Sequence, residues 1–172
     1  MGEFSLPRDT QFDGTLVGGL SSLDYDSVTS SCYAASDDRG NDRPGSGAPR
    51  FYTLDVGISA GGIDNVKVKG KPTFLQADGT AFANGTVDPE GLRRSACGTF
   101  FWSSEGIRQR VAGVDTRRDP FIREAAGDRS FIREFGVPSY YGTAPDDSGV
   151  RTNFGFESLA LSPRRQPGVD AE

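Results

Sequence analysis

Gly19-Leu20-Ser21-Ser22-Leu23-Asp24-Tyr25-Asp26, Asp88-Pro89-Glu90-Gly91-Leu92-Arg93-Arg94-Ser95 and Gly155-Phe156-Glu157-Ser158-Leu159-Ala160-Leu161-Ser162 are three versions of one pattern. Leu23, Leu92 and Leu159 align, 69 and 67 residues apart, and two positions before them stand Ser21, Glu90 and Glu157. The first two copies continue alike, into Cys32-Tyr33-Ala34-Ala35-Ser36-Asp37-Asp38 and Phe100-Phe101-Trp102-Ser103-Ser104-Glu105. A fixed internal period marks one supersecondary unit stacked several times. Stacking brings equivalent loops to one place, so Glu90 and Glu157 are expected to converge on a shared site.

Around the repeats the chain reads as short strands between turn signals. Thr15 to Asp26 suits strand, tight turn, strand, and Cys32 to Ser36 a short strand that runs into a Gly, Pro and Asp-rich loop ending at Pro49. Arg50 to Val56 alternates with period two and sets Tyr52, Leu54 and Val56 on one face. Val66 to Leu75 is a further extended piece, interrupted at Gly70-Lys71-Pro72, and Asp78-Gly79 is a hairpin-type turn. Thr99 to Ser104 is the inner strand of the second repeat. Phe121-Ile122-Arg123-Glu124 and Phe131-Ile132-Arg133-Glu134 predict an antiparallel hairpin with cross-strand ion pairs on a solvated face. Arg108 to Arg118 could be tried as a helix, but Gly113, Val111 and Val114 oppose it. Tyr140 to Gly149 is a polar loop, its two tyrosines suited to rim packing ahead of stacking on a sugar or inositol ring. The expected class is all-β, in the range of sandwiches, barrels and propellers. The period exceeds a plain propeller blade of about 40–50 residues. Insertions at Asp37 to Pro49 and Tyr140 to Gly149 would fill the excess.

Composition agrees and also excludes. The 172 residues have the length of one domain, and 23 Gly with 10 Pro suit a turn-dense β protein. A net charge of −5 disfavours nucleic acid as partner, since a phosphate backbone needs a basic face. There is no histidine. That removes Ser-His-Asp and Cys-His chemistry, a histidine nucleophile and His-ligated zinc. Catalysis must then rest on Asp, Glu, Arg, Tyr, a hydroxyl or an oxygen-bound metal. Cys32 and Cys97 could pair in an oxidising compartment, though the repeat does not set them at equivalent points. No stretch reaches the ~18 apolar residues of a transmembrane segment. The start, Met1-Gly2-Glu3-Phe4-Ser5, carries no signal region, so the chain as given reads as cytoplasmic unless an export signal precedes it.

Several of these stretches, taken in order, resemble one family. They are Val17 to Asp26, Ser36-Asp37-Asp38-Arg39-Gly40, Pro49-Arg50-Phe51-Tyr52-Thr53-Leu54, Val87-Asp88-Pro89-Glu90-Gly91, Trp102-Ser103-Ser104-Glu105-Gly106 and Asn153-Phe154-Gly155-Phe156-Glu157-Ser158-Leu159-Ala160-Leu161. From about Gly14 to Pro163 the chain is similar to the phytase-like domain family, labelled "esterase-like activity of phytase". The resemblance implies a β-propeller-like domain of roughly twice this length, secreted or in the cell envelope, and hydrolysis of phosphate or other esters. The expected organisation is a lead-in over 1–14, a propeller fragment of a few blades over 15–163, and a non-matching tail over 164–172. The tail departs from the family's continuation, which suggests a truncated or frame-shifted product.

Asp37, Asp38, Glu90, Glu105 and Glu157 lie beside predicted strand ends or at repeat starts. Carboxylates brought together resist ionisation unless a cation neutralises them. Ca²⁺ suits such a place, with Glu90, Glu157, Glu105 and the Asn153 amide as ligands. Glu90, Glu157, Asp37 and Asp38 are the catalytic candidates. Arg39, Arg50 and Arg151 sit next to the acidic motifs and would hold an anionic small-molecule ester, because a guanidinium fork matches phosphate oxygens. The bland alternatives are turn formers for the carboxylates, a local loop ion pair for Asp37-Asp38-Arg39, and core for Trp102. The activity expected is metal-assisted hydrolysis of a phosphate or carboxylic ester. Its rivals are a non-catalytic propeller binding a carbohydrate, peptide or cell-envelope ligand, and an inert piece that self-associates through open strand edges.

Overall fold

The computed structural model describes residues 3–146, 148–151 and 153–162. The expected tail, 164–172, lies outside the described residues. Among the described residues twelve strands follow in order: β1 (Gln11–Phe12), β2 (Thr15–Leu16), β3 (Leu20–Asp26), β4 (Ser31–Ser36), β5 (Phe51–Ser59), β6 (Gly62–Gly70), β7 (Pro89–Arg94), β8 (Phe100–Ser104), β9 (Ile107–Val111), β10 (Val114–Arg118), β11 (Phe121–Ala125) and β12 (Phe131–Phe135). The chain is all-β and propeller-like. One four-stranded antiparallel sheet runs β3-β4-β5-β6 and a second runs β7-β8-β11-β12, so each of the first two repeats opens a meander blade. β1-β2 and β9-β10 form separate two-stranded hairpins.

Period-two alternation decides which side chains meet. Along β4, Tyr33 and Ala35 point to one face while Cys32 and Ala34 point to the other. The first pair joins Phe51, Phe74, Phe82, Val87, Leu92, Phe100 and Trp102 in a core between the blades. Its aromatic contacts include Phe74 stacked on Trp102 at 4.2 Å and Phe51 against Phe100 at 4.9 Å. The second pair joins Val17, Tyr52 and Leu54 in a smaller core on the outer face of the first blade, where Leu6 and Phe12 lean over it. Tyr52, Leu54 and Val56 share that face, and Trp102 is core.

The blades are also latched by polar groups. Asp24 Oδ2 accepts from the Arg94 backbone N–H at 2.6 Å, and Asp26 Oδ2 accepts from Arg94 Nε at 3.0 Å. The Arg94 guanidinium lies over the rings of Tyr33 and Phe100.

Three points left open or expected otherwise are decided by the structure. The stretch Arg108 to Arg118 is the hairpin β9-β10, turned at Ala112-Gly113 with φ of 49° and 83°. This insertion and the loop after Ser36 lengthen the period beyond a plain blade. The third repeat forms no strand among its described residues. It instead lies against Gly91, where an added Cβ would come within 2.7 Å of Leu159 Cβ. Finally, Cys32 is buried, Cys97 is exposed and both thiols are free, so no disulfide joins the repeats. The hairpin β11-β12 forms as expected, with Arg123 on Glu134 at 2.8 Å and Arg133 on Glu124 at 2.6 Å, but Glu124 is buried and also accepts from the Thr99 hydroxyl, so this face is not wholly solvated.

Candidate functional site

Equivalent backbone bonds close the same end of both blades. The Asp37 N–H donates to Gly19 O at 2.7 Å, and the Glu105 N–H donates to Asp88 O at 3.1 Å. Gly19 and Asp88 are equivalent in the repeat, as are Asp37 and Glu105. Each blade therefore delivers an acid just past its second strand. Glu90 enters from the start of β7, and the third repeat supplies Glu157 beside it.

These acids line one cleft of about 530 Å³, together with Asp88, Arg39, Asp42, Arg43 and Asn153. Glu90 and Glu157 thus share a site. Asp88, Glu90 and Glu105 form its floor, each presenting a carboxylate oxygen within 4.8 Å of the others. Asp88 and Glu105 are buried and Glu90 is half-buried.

Burial and mutual repulsion set the proton occupancy. Asp88 is pushed up to about 8, first by desolvation, with Glu105 and Glu90 adding to it and Arg39 opposing. Glu90 is raised to about 7, again by desolvation first. A Ser21 hydroxyl opposes that rise, and the charges of Glu157, Glu105 and Asp37 reinforce it. Glu157 is raised by desolvation and then by its hydrogen bond to Glu105. Ser21, Glu90 and Glu157 hold the same position in the three repeats, so the period itself brings them together.

The arginines divide. Arg39 Nε and NH2 donate to Asp42 Oδ1 at 2.9 and 2.6 Å, and its own backbone N–H donates to Asp42 Oδ2. This clamp holds the guanidinium at the cleft, with NH1 at 3.8 Å from Asp88. Arg43 reaches Asp37 at 3.5 Å.

Arg50 and Asp38 are placed otherwise than expected. Both side chains are fully buried and pair at 2.9 Å away from the cleft. Arg50 also donates to Tyr52 Oη and to the carbonyls of Leu16 and Gly47. Period two explains it, because residue 50 shares the core face of Tyr52 and Leu54. Burial raises the Asp38 pKa, but hydrogen bonds from Gly40, Ser46 and Arg50 outweigh it and hold the carboxyl low. Ion-paired and sealed, these two residues anchor the loop after β4 and do not face a ligand. Arg151 likewise is not at the cleft but in a separate pocket with Arg108 and Arg110.

Sequence reasoning passed over Asp88, Asp42 and Arg43. A signal existed for Asp88, which stands two residues before Glu90 and so shares its side of an extended chain. None marked Asp42, whose role depends on the loop's fold.

Oxygen donors alone face one another on the floor, which fits a hard divalent cation and not a thiophilic one. Six acids line the cleft with two arginines, and Asp42 and Asp37 pair with those arginines, so the site can hold a cation and still meet an anion. The chain belongs to the phytase-like family, described as "Esterase-like activity of phytase", whose model matches residues 15–168. Comparison with curated proteins and with solved structures gave no match. Among the described residues no helix is long and apolar enough to cross a membrane.

Proposed function

We propose that the cleft hydrolyses a phosphate or carboxylic ester with the help of a divalent cation, Ca²⁺ by preference. The observation that carries this reading is the gathering of Asp88, Glu90 and Glu105 oxygens within 4.8 Å beside a clamped Arg39. Family membership supports the ester substrate. A bound cation would polarise the ester oxygen and a water, and offset developing negative charge.

Asp88, Glu90 and Glu105 would hold the ion, with Asn153 and Glu157 on its open side. Arg39 and Arg43 draw the anionic ester in, and Asp42 keeps the Arg39 fork from swinging away. Glu157 faces the open cleft and shares a hydrogen bond with Glu105, so it is placed to take a proton from an attacking water. Asp37 faces the same space and keeps Arg43 in place.

A chromogenic phosphomonoester and a matching carboxylic ester test the reading. Turnover should vanish with chelator, return with Ca²⁺, and be lost in Glu90→Gln and Glu157→Gln. Absence of turnover with either ester at saturating Ca²⁺ would overturn it. Saturable glycan binding under those conditions would favour a non-catalytic binding propeller, for which Tyr140, 69% exposed and packed on Tyr141 at 4.5 Å, offers a platform.

A further inference from the structure

The hairpin β9-β10 projects between the second and third strands of the second blade and takes no part in the acidic cleft. Its register sets Arg110 opposite Asp115 and Arg108 opposite Arg117, so these four side chains share one face. Asp115 is already engaged by Arg117 at 2.8 Å. Facing them are Pro145, Arg151 and Phe154, and the chain before them is tied down at two points. Arg108 NH2 donates to Pro145 O at 3.2 Å, and the Thr143 N–H and hydroxyl donate to Asp119 Oδ1 at 2.7 and 2.9 Å.

Between the two walls lies a pocket of about 420 Å³, lined by Arg108, Arg110, Asp115, Pro145, Arg151 and Phe154 among others. It shares no residue with the cleft. A turn closed by the Phe154 N–H on Arg151 O at 3.0 Å separates them, with Asn153 on the cleft and Arg151 and Phe154 on the pocket.

Three guanidinium groups meet here against one carboxylate, in a chain whose net charge is −5. Arg117 is engaged by Asp115, and Arg108 lies near the Asp146 carboxylate, so Arg110 and Arg151 are the guanidinium groups offered to an anion. Guanidinium forks match the oxygens of phosphate and carboxylate. The Phe154 ring is 78% exposed and gives the pocket an apolar wall. A few convergent polar groups beside an apolar wall is the usual make-up of a small-molecule site.

We propose that this pocket binds a small organic oxyanion, with its anionic head on Arg110 and Arg151 and its apolar body against Phe154. The site is independent of catalysis in the acidic cleft. Calorimetric titration of the chelator-treated chain with phenyl phosphate, benzoate and inorganic phosphate tests it. Phenyl phosphate should bind saturably and at least about threefold tighter than inorganic phosphate. Arg110→Gln and Arg151→Gln should each weaken both phosphates about tenfold. Phe154→Ser should remove the advantage of phenyl phosphate and leave inorganic phosphate unchanged. Benzoate binding that responds to the same variants extends the head group to carboxylates; its absence restricts it to phosphate. All three side chains are exposed, so unchanged melting curves are expected for the variants. Absence of saturable binding, binding indifferent to the arginine variants, or binding lost in Glu90→Gln instead would overturn the proposal. The last outcome would move the ligand to the cleft without bearing on turnover there.

Discussion

Asp88 and Glu90 are the carboxyls that burial pushes furthest up among the described residues. In the folded, metal-free chain they keep protons up to about 8 and about 7, whereas their ordinary values are 3.8 and 4.5. Across that window the folded state binds more protons than the unfolded one, so stability falls as pH rises from about 4 to about 8. The acids held low, such as Asp38 and Asp42, act only below that window, where their stabilisation is lost as pH falls. The melting temperature of chelated protein should therefore decline between pH 5 and pH 8.5. Saturating Ca²⁺ should flatten the curve, because a cation offsets the repulsion of the ionised pair. A pH-independent melt in chelator would show that these carboxyls ionise normally. Arg50 makes a different prediction. Replacing it with Met leaves the Asp38 carboxylate buried without its partner, at a cost of about 3–5 kcal/mol. Urea denaturation should show that loss, and Asp38→Asn in the same chain should recover part of it. If Arg50→Met instead left stability intact and only weakened substrate binding, the pair would not be an anchor.

The third repeat reaches the cleft without being a strand, and Gly91 on β7 is what lets it approach. A methyl group at residue 91 would meet Ser103 Oγ and Leu159, and Ser103 Oγ accepts the Gly91 N–H at 3.0 Å. Gly91→Ala should push the segment carrying Glu157 outward and weaken Ca²⁺ affinity at least about fivefold. Calorimetric Ca²⁺ titration reads this, and unchanged affinity would show that Glu157 takes no part in holding the ion. The case shows where sequence reading succeeds and where it stops. Repeat positions predicted that Glu90 and Glu157 meet, since equivalent positions of stacked units face one axis. Alternation placed Tyr52 and Leu54 in the core, and would have placed Arg50 there had its charge not suggested a ligand. The hairpin β9-β10 was hidden because Ala112-Gly113 is a weak turn signal, Ala112 adopting a positive φ that alanine rarely takes. The pocket at Arg151 was hidden because its lining comes from two segments about thirty positions apart in the chain.

At the scale of the whole molecule the two blades are related by repeat but not by environment. Leu92 is 0% exposed, packed between the blades, whereas its counterpart Leu23 is 60% exposed on the outer face of the first blade. Around Leu23 lies an apolar hollow of about 550 Å³ that includes Phe4, Leu6, Leu20, Leu54 and Val66. Among the described residues the same position thus packs between two blades in one copy and is met by the lead-in segment on the outer face in the other. Leu92→Ala should cost about 2–5 kcal/mol, the range for a leucine removed from a filled core. Leu23→Ala should change stability by no more than about 0.5 kcal/mol in dilute protein. Urea titrations of both variants at two protein concentrations provide the measurement. Among the described residues β6 and β12 have no strand paired to their outer edges, and such edges can pair with a second copy. Association through those edges alone leaves the Leu23 variant neutral at both concentrations. A Leu23→Ala cost that grows with protein concentration would instead place the contact on the outer face of the first blade. Equal costs at Leu23 and Leu92 in dilute protein would mean that the lead-in seals Leu23 as fully as a blade does.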